Sequence, residues 1–298
     1  MNKATVHGLP PAINDAERLA LHLGVSMHAV DVHRFPDGEL RVTVGPVSNT
    51  TIVYASLDQP NDKLLALLFA VEAFRREGAR RLVLVAPYLC YMRQDASFHK
   101  GEAISQKVVG RLLADRFDRV ITVDAHLHRT GTIEEVFPQI ESDDLSAMPA
   151  IADALRAANV SSDTIVVGPD EESGPWVGDL ANRLRLKHAI GRKTRRDDRS
   201  VEVIFTDSGL ITGRPALFVD DIVSSGGTLI SCTKALISAG VTAVDAIVTH
   251  ALFAPQMTQT FLDAGVRSIR STTSVPHPTN AIALDGVLAD ALRKEVDL

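Results

Sequence analysis

In the segment PALFVDDIVSSGGTLISCTKALISAG (215–240) a buried apolar run passes into two acids, then a Ser-Ser-Gly-Gly-Thr turn, then a helical pattern. Gly226 and Gly227 let the backbone come close to an anion, and Ser224, Ser225 and Thr228 offer hydroxyl donors beside the free amides of a helix N-terminus. Such a nest suits a monophosphate. Asp220 and Asp221, at the carboxyl edge of a sheet, are placed to accept hydrogen bonds from the two ring hydroxyls of a ribose or to hold Mg²⁺ through water. A bare strand-to-helix turn accounts for any one of these features, since Asp-Asp caps it and glycines permit it. Their combination points to a ribose phosphate.

Four further segments carry residue types with chemical uses. In RFPDGELRV (34–42) a type I or II turn at Pro36-Asp37-Gly38 accounts for the proline and glycine, but not for Phe35 and Glu39. In APYLCYMRQD (86–95) Arg93 follows a strand end and aromatic residues, where a nucleotide can dock. In VITVDAHLHRTG (120–131) His126 and His128 sit on one side of an extended segment, so spacing leaves open which imidazole is used. GRKTRRDDRSVEV (191–203) is a basic cluster that in isolation is a solvated turn. Beside a phosphate site it supplies the charge neutralisation that phosphoryl-type transfer needs.

Short apolar runs that read as buried parallel strands recur along the chain: TIVYA (51–55), LVLVA (82–86), VITVD (120–124), TIVVG (164–168), ALFVD (216–220) and AIVTH (246–250). Helical patterns fall between them. One starts near Asp62, a good N-cap, puts Leu64, Leu67, Leu68, Val71 and Phe74 on one stripe, and stops at Gly78. Others run Ser105–Phe117, Pro149–Ala158, Thr228–Ala239 and Pro255–Ala264. Alternation of this kind predicts an α/β chain with parallel sheets covered by helices and ligands beyond the carboxyl ends of the strands. At 298 residues it accommodates two domains, with a boundary near 140–148, where ESDDLSAMP is rich in charged and turn-forming residues. Each half holds a strand that ends in an acid, VITVDAH and ALFVDD, a hint of duplication.

The formal charge is −6 and the basic residues are scattered, so no nucleic-acid partner is expected. Cys90 and Cys232 lie in unrelated contexts, and neither a zinc spacing nor a disulfide framework follows from them. The first residues lack the apolar core of a signal peptide, and no stretch approaches the roughly 18 apolar residues of a membrane span. The expectation is a cytoplasmic enzyme without a membrane partner.

The 215–240 block resembles the binding signature of type I phosphoribosyltransferases, which ribose-phosphate pyrophosphokinases share. The other segments, in order from Arg34 to Asn280, resemble the pyrophosphokinases. That resemblance implies two phosphoribosyltransferase type I-like domains, each a mainly parallel sheet flanked by helices: 1–143 on the ATP side and 144–298 on the ribose 5-phosphate side. It implies that Phe35, Asp37 and Glu39 serve the adenine of ATP in a neighbouring subunit, hence a homo-oligomer, dimer or higher. Arg93 and Gln94 would contact ATP with Asp95 in support, and His126 would meet the Mg²⁺ on ATP directly or through water, supported by Asp124. Asp170, in the strand-turn TIVVGPDEESGPW, would meet a second Mg²⁺, although Glu171, Glu172 and Ser173 stand where the family commonly has small residues and glycine. Lys193 and Arg195 match the Lys-x-Arg pair of a flexible catalytic loop, and Asp220, Asp221 and Ser224–Thr228 the ribose 5-phosphate loop. The implied reaction transfers pyrophosphate from Mg-ATP to ribose 5-phosphate. A phosphoribosyltransferase and a non-catalytic paralogue of the pyrophosphokinases are the alternatives.

Overall fold

A computed structural model describes residues 4–195, 201–205 and 208–297, without the side chains of 193–195, 201, 202, 208 and 297. In chain order the first eight strands are β1 (Ala4–Gly8), β2 (Ser26–Ala29), β3 (Asp31–Arg34), β4 (Leu40–Thr43), β5 (Thr50–Tyr54), β6 (Arg81–Val85), β7 (Arg119–Val123) and β8 (Glu141–Leu145). The second eight are β9 (Ile165–Gly168), β10 (Lys187–Ile190), β11 (Arg192–Arg195), β12 (Val201–Ile204), β13 (Pro215–Val223), β14 (Ala243–Ala251), β15 (Val266–Thr272) and β16 (Asn280–Ile282). The helices are α1 (Ile13–Leu23), α2 (Pro60–Arg76), α3 (Ser105–Ala114), α4 (Ile133–Val136), α5 (Met148–Ala157), α6 (Gly174–Leu184), α7 (Ser208–Ile211), α8 (Gly227–Ser238), α9 (Met257–Asp263) and α10 (Asp285–Asp297).

Two six-stranded sheets, parallel throughout, hold these elements in the orders β2-β1-β5-β6-β7-β8 and β10-β9-β13-β14-β15-β16. Adding eight to each strand number of the first order yields the second, and each sheet is accompanied by one antiparallel hairpin, β3-β4 or β11-β12. The chain is therefore an internal duplication at the level of topology. Its equivalences differ from the expected ones: β5 corresponds to β13 and β7 to β15, so VITVDAH and ALFVDD are not counterparts. Both end in acids because carboxyl ends of parallel strands are where polar loops emerge.

The compact units are Met1–Leu145 with Ser274–Pro276 and Leu284–Leu298, and Ser146–Thr273 with His277–Ala283. The break follows Leu145 rather than residue 143, and the C-terminal helix belongs to the first unit. The break lies within the expected 140–148 segment, where ESDDL forms the polar edge strand β8; an edge strand pairs on one side only and so tolerates charge. Helix α10 packs on α1, and Glu295, 1% exposed, binds Arg81 (2.6 Å) and Arg119 (2.9 Å). Those arginines are the first residues of β6 and β7, at the end of the sheet opposite the polar loops.

The apolar runs form the strands they predict, and these six strands are mostly buried. In α2, Leu64, Leu67, Val71 and Phe74 are buried as the stripe requires, and Gly78 takes φ +104° just past its end. Asp62 is not the cap. The helix begins at Pro60, whose fixed φ suits the first position, which leaves Asp62 in the first turn, where its charge faces the positive end of the helix. No helix among the described residues is long and apolar enough to cross a membrane.

Candidate functional site

In the second sheet the chain leaves β9 toward β10 on one side and β13 on the other, so the loops after β9 and β13 emerge at a topological switch point, where α/β sheets bind ligands. Near the carboxyl end of β13 stand half-buried Asp220 and buried Asp221, whose Oδ1 accepts the Ile222 amide at 2.7 Å. Ser224 and Ser225 are exposed, and α8 starts at Gly227, with Gly226 as its cap in the left-handed region (φ +76°). The ring of Phe261, fully buried on α9, fills the space that a side chain at 226 would need. The first amides of α8, Gly227 and Thr228 among them, have no carbonyl one turn back within the helix. A phosphate is a natural acceptor for them.

After β9, Asp170 caps a short 3-10 turn, Glu171–Ser173, that runs directly into α6. Its Oδ1 accepts the Ser173 amide (3.3 Å), while the Ser173 hydroxyl donates to the Asp170 carbonyl (2.5 Å). Ser173 thus shapes the turn. Burial first, then the charges of Asp220 and Asp170, push the Cys232 thiol up.

The first unit offers a different surface at its equivalent position. The loop from β5 to α2 keeps the left-handed cap, at Gln59 (φ +45°), but has no glycine pair. Lys63 Nζ binds Asp58 Oδ1 (2.5 Å) and the Ser56 carbonyl (3.0 Å), so an internal cation serves the loop. The candidate residues of this unit instead follow β6 and β7 or sit in the β3-β4 hairpin. Tyr91 (φ +63°) and Asp124 (φ +41°) are strained two residues before Arg93 and His126. Arg93 is exposed. Asp95 is turned inward, its side chain 2% exposed, and accepts from Arg129 Nη1 at 2.8 Å. Gln94 donates its side-chain amide to the Ala96 carbonyl (3.2 Å). His126 Nδ1 and His128 Nε2 are 2.9 Å apart, so the two imidazoles share one hydrogen bond and act as a pair.

The hairpin β3-β4 turns through Phe35–Gly38, with Gly38 N donating to Phe35 O (2.9 Å) and Phe35 N to Glu39 O (2.8 Å). Gly38 has φ +94° and Asp37 is not left-handed, as in a type I turn followed by glycine. Phe35, Asp37 and Glu39 are exposed. Hairpin and Arg93 loop are tied to neighbouring residues of α2: Arg34 pairs with Asp62, and the Tyr91 hydroxyl donates to Asn61 Oδ1 (2.5 Å). Lys193 and Arg195 lie on β11, paired antiparallel with β12; their side chains are outside the described residues.

Sequence reasoning missed Phe261, Gln106, Thr130 and Arg129. Only Gln106 has a local signal, a polar residue at a helical position that proves 3% exposed.

A family model described as the N-terminal domain of ribose phosphate pyrophosphokinase matches residues 13–116, and one described as a phosphoribosyl transferase domain matches 142–281. A ribose-phosphate pyrophosphokinase of Methanopyrus kandleri is 30% identical over 277 residues, covering 92% of this chain and 94% of its own. One from Brucella melitensis is 34% identical over 271 residues, covering 90% and 86%. The crystal structure of phosphoribosylpyrophosphate synthetase from Mycobacterium smegmatis matches with TM-score 0.85 at 24% identity over 99% of both chains, a likeness of fold. The fold is the one the sequence predicts: two phosphoribosyltransferase-like α/β domains, each with a parallel sheet flanked by helices.

Proposed function

The chain belongs to the ribose-phosphate pyrophosphokinase family, and from that premise we propose that it transfers pyrophosphate from Mg-ATP to the anomeric hydroxyl of ribose 5-phosphate. The products are phosphoribosyl pyrophosphate and AMP. The observation that carries this reading is the glycine-capped turn behind Asp220 and Asp221 at the switch point of the second sheet. Its helix amides and hydroxyls suit the 5-phosphate, and the paired carboxylates suit the ribose hydroxyls.

ATP is assigned to the loops after β6 and β7, through Arg93 and Gln94, with Asp95 in support and His126 toward the metal-bound phosphates. The exposed Phe35, Asp37 and Glu39 serve the adenine of a neighbouring subunit, which makes the enzyme a dimer or higher oligomer. Mg²⁺ prefers oxygen ligands, and the carboxylates of Asp170, Asp220 and Asp221, at the carboxyl ends of the adjacent strands β9 and β13, would suit it. His126 suits a contact through a metal-bound water. When bound, Mg²⁺ neutralises phosphate charge. Asp220 and Asp221 orient the ribose for in-line attack of its anomeric oxygen on the β-phosphorus, with AMP as leaving group and no covalent enzyme intermediate. Lys193 and Arg195 stabilise charge on the transferring group. A cytoplasmic setting completes the reading: Cys90 and Cys232 are free and buried, as a reducing compartment allows.

The test is incubation of the full chain with Mg-ATP and ribose 5-phosphate. Release of AMP that depends on ribose 5-phosphate supports the proposal. A phosphoribosyltransferase releases no AMP from these two substrates and instead consumes phosphoribosyl pyrophosphate with a base. A non-catalytic paralogue binds ATP without turnover. Either outcome overturns the reading.

A further inference from the structure

We infer that Gln106 is a positioning residue for ATP, locking the Arg93–Asp95 loop to the His126–Thr130 loop; this rests on the assignment of those loops to ATP. Gln106 is the second residue of α3 and is 3% exposed. Its backbone amide donates to the Gln94 carbonyl (3.2 Å), and its side-chain Nε2 to the Met92 carbonyl (3.4 Å). Its Oε1 accepts from the Thr130 hydroxyl at 2.8 Å. A carbonyl only accepts, so the Met92 contact fixes which end of the amide faces Thr130. One buried residue therefore holds both sides of Arg93, Gln94 through its backbone amide and Met92 through its side chain, and that side chain joins Met92 to the loop that carries His126.

These bonds do not make the helix. Val109 and Leu113 bury the apolar face of α3, whereas every partner of the Gln106 amides lies in a loop. Another tie between the loops is Arg129–Asp95. Arg129 is 60% exposed while Asp95 is 2% exposed, so solvent screens that pair from the arginine side only. Gln106 differs from that pair in reach: it holds Met92 and Gln94, the residues either side of Arg93, as well as Thr130, and its buried amide leaves polar groups unpaired if it is removed.

Loop displacement of about an ångström is enough to weaken a contact many-fold. Gln106→Ala is expected to raise the KM for ATP roughly tenfold, with kcat and the KM for ribose 5-phosphate within about twofold of the parent. Thr130→Val, which keeps the shape and removes the hydroxyl, should act in the same direction if the alanine variant folds poorly. In the double variant the penalties should be non-additive, as for residues that share one contact. Unchanged ATP kinetics in both single variants, KM values for both substrates rising together, or additive penalties would overturn the positioning role. Arg93→Ala separates two failures. If it raises the KM for ATP while Gln106→Ala does not, only the positioning role falls; if it changes nothing, the assignment of these loops to ATP falls as well.

Discussion

The ring of Phe261 lies so close beneath Gly226 that a Cβ on the glycine would fall 2.3 Å from its Cε1. Space and dihedral both demand glycine there, since φ is +76°. An L-residue pays about 1–2 kcal/mol for the left-handed conformation before any clash is counted. Gly226→Ala should raise the KM for ribose 5-phosphate at least tenfold and leave ATP binding intact. Adding Phe261→Leu relieves the contact but not the dihedral, so recovery should be partial. Steady-state kinetics on the two variants check both points.

Glu295 offers a stability prediction. Its side chain is 2% exposed and accepts from Arg81 and Arg119, and those guanidinium groups hold its carboxyl below the usual carboxylate range against the opposing effect of burial. Removing one partner of a buried ion pair costs on the order of 3 kcal/mol. Glu295→Gln should lower the unfolding free energy by about that amount in urea titrations.

His7 sets a pH dependence. Burial first, then the nearby His28, lower its pKa from 6.5 to about 4, while a backbone hydrogen bond at Pro46 works the other way. The unfolded chain therefore binds more protons between those values, and stability falls as pH drops from about 6.5 toward 4. This contribution is constant above and below that window. Its size is on the order of 3 kcal/mol, and His7→Gln should flatten this part of the curve in urea melts taken across the range.

Lys193→Ala and Arg195→Ala should lower turnover by roughly 10³ while the KM for ribose 5-phosphate changes little, because their assigned role is confined to the transition state. Comparable turnover in variants and parent would remove them from the catalytic assignment.

How far the sequence discloses this depends on the range of the forces involved. The Asp220–Thr228 loop was legible because strand, acids, glycines and helix start are contiguous, and the α2 stripe because helical period is local. The cap of α2 was misplaced because Pro60 outweighed Asp62 at the first turn. The return of α10 to the first unit depends on Glu295 meeting arginines 214 and 176 positions away. Phe261 beneath Gly226 and Thr130 on Gln106 are likewise tertiary contacts, with no local pattern to announce them.

The central claim is attack on the β-phosphorus of ATP by the sugar, and phosphorus-31 NMR of the full chain with Mg-ATP and ribose 5-phosphate reads it directly. The expected spectrum gains AMP and a sugar-bound diphosphate in equal amounts as ATP declines. Appearance of ADP with a monophosphorylated anomeric oxygen, or AMP formed in the absence of sugar, would contradict it.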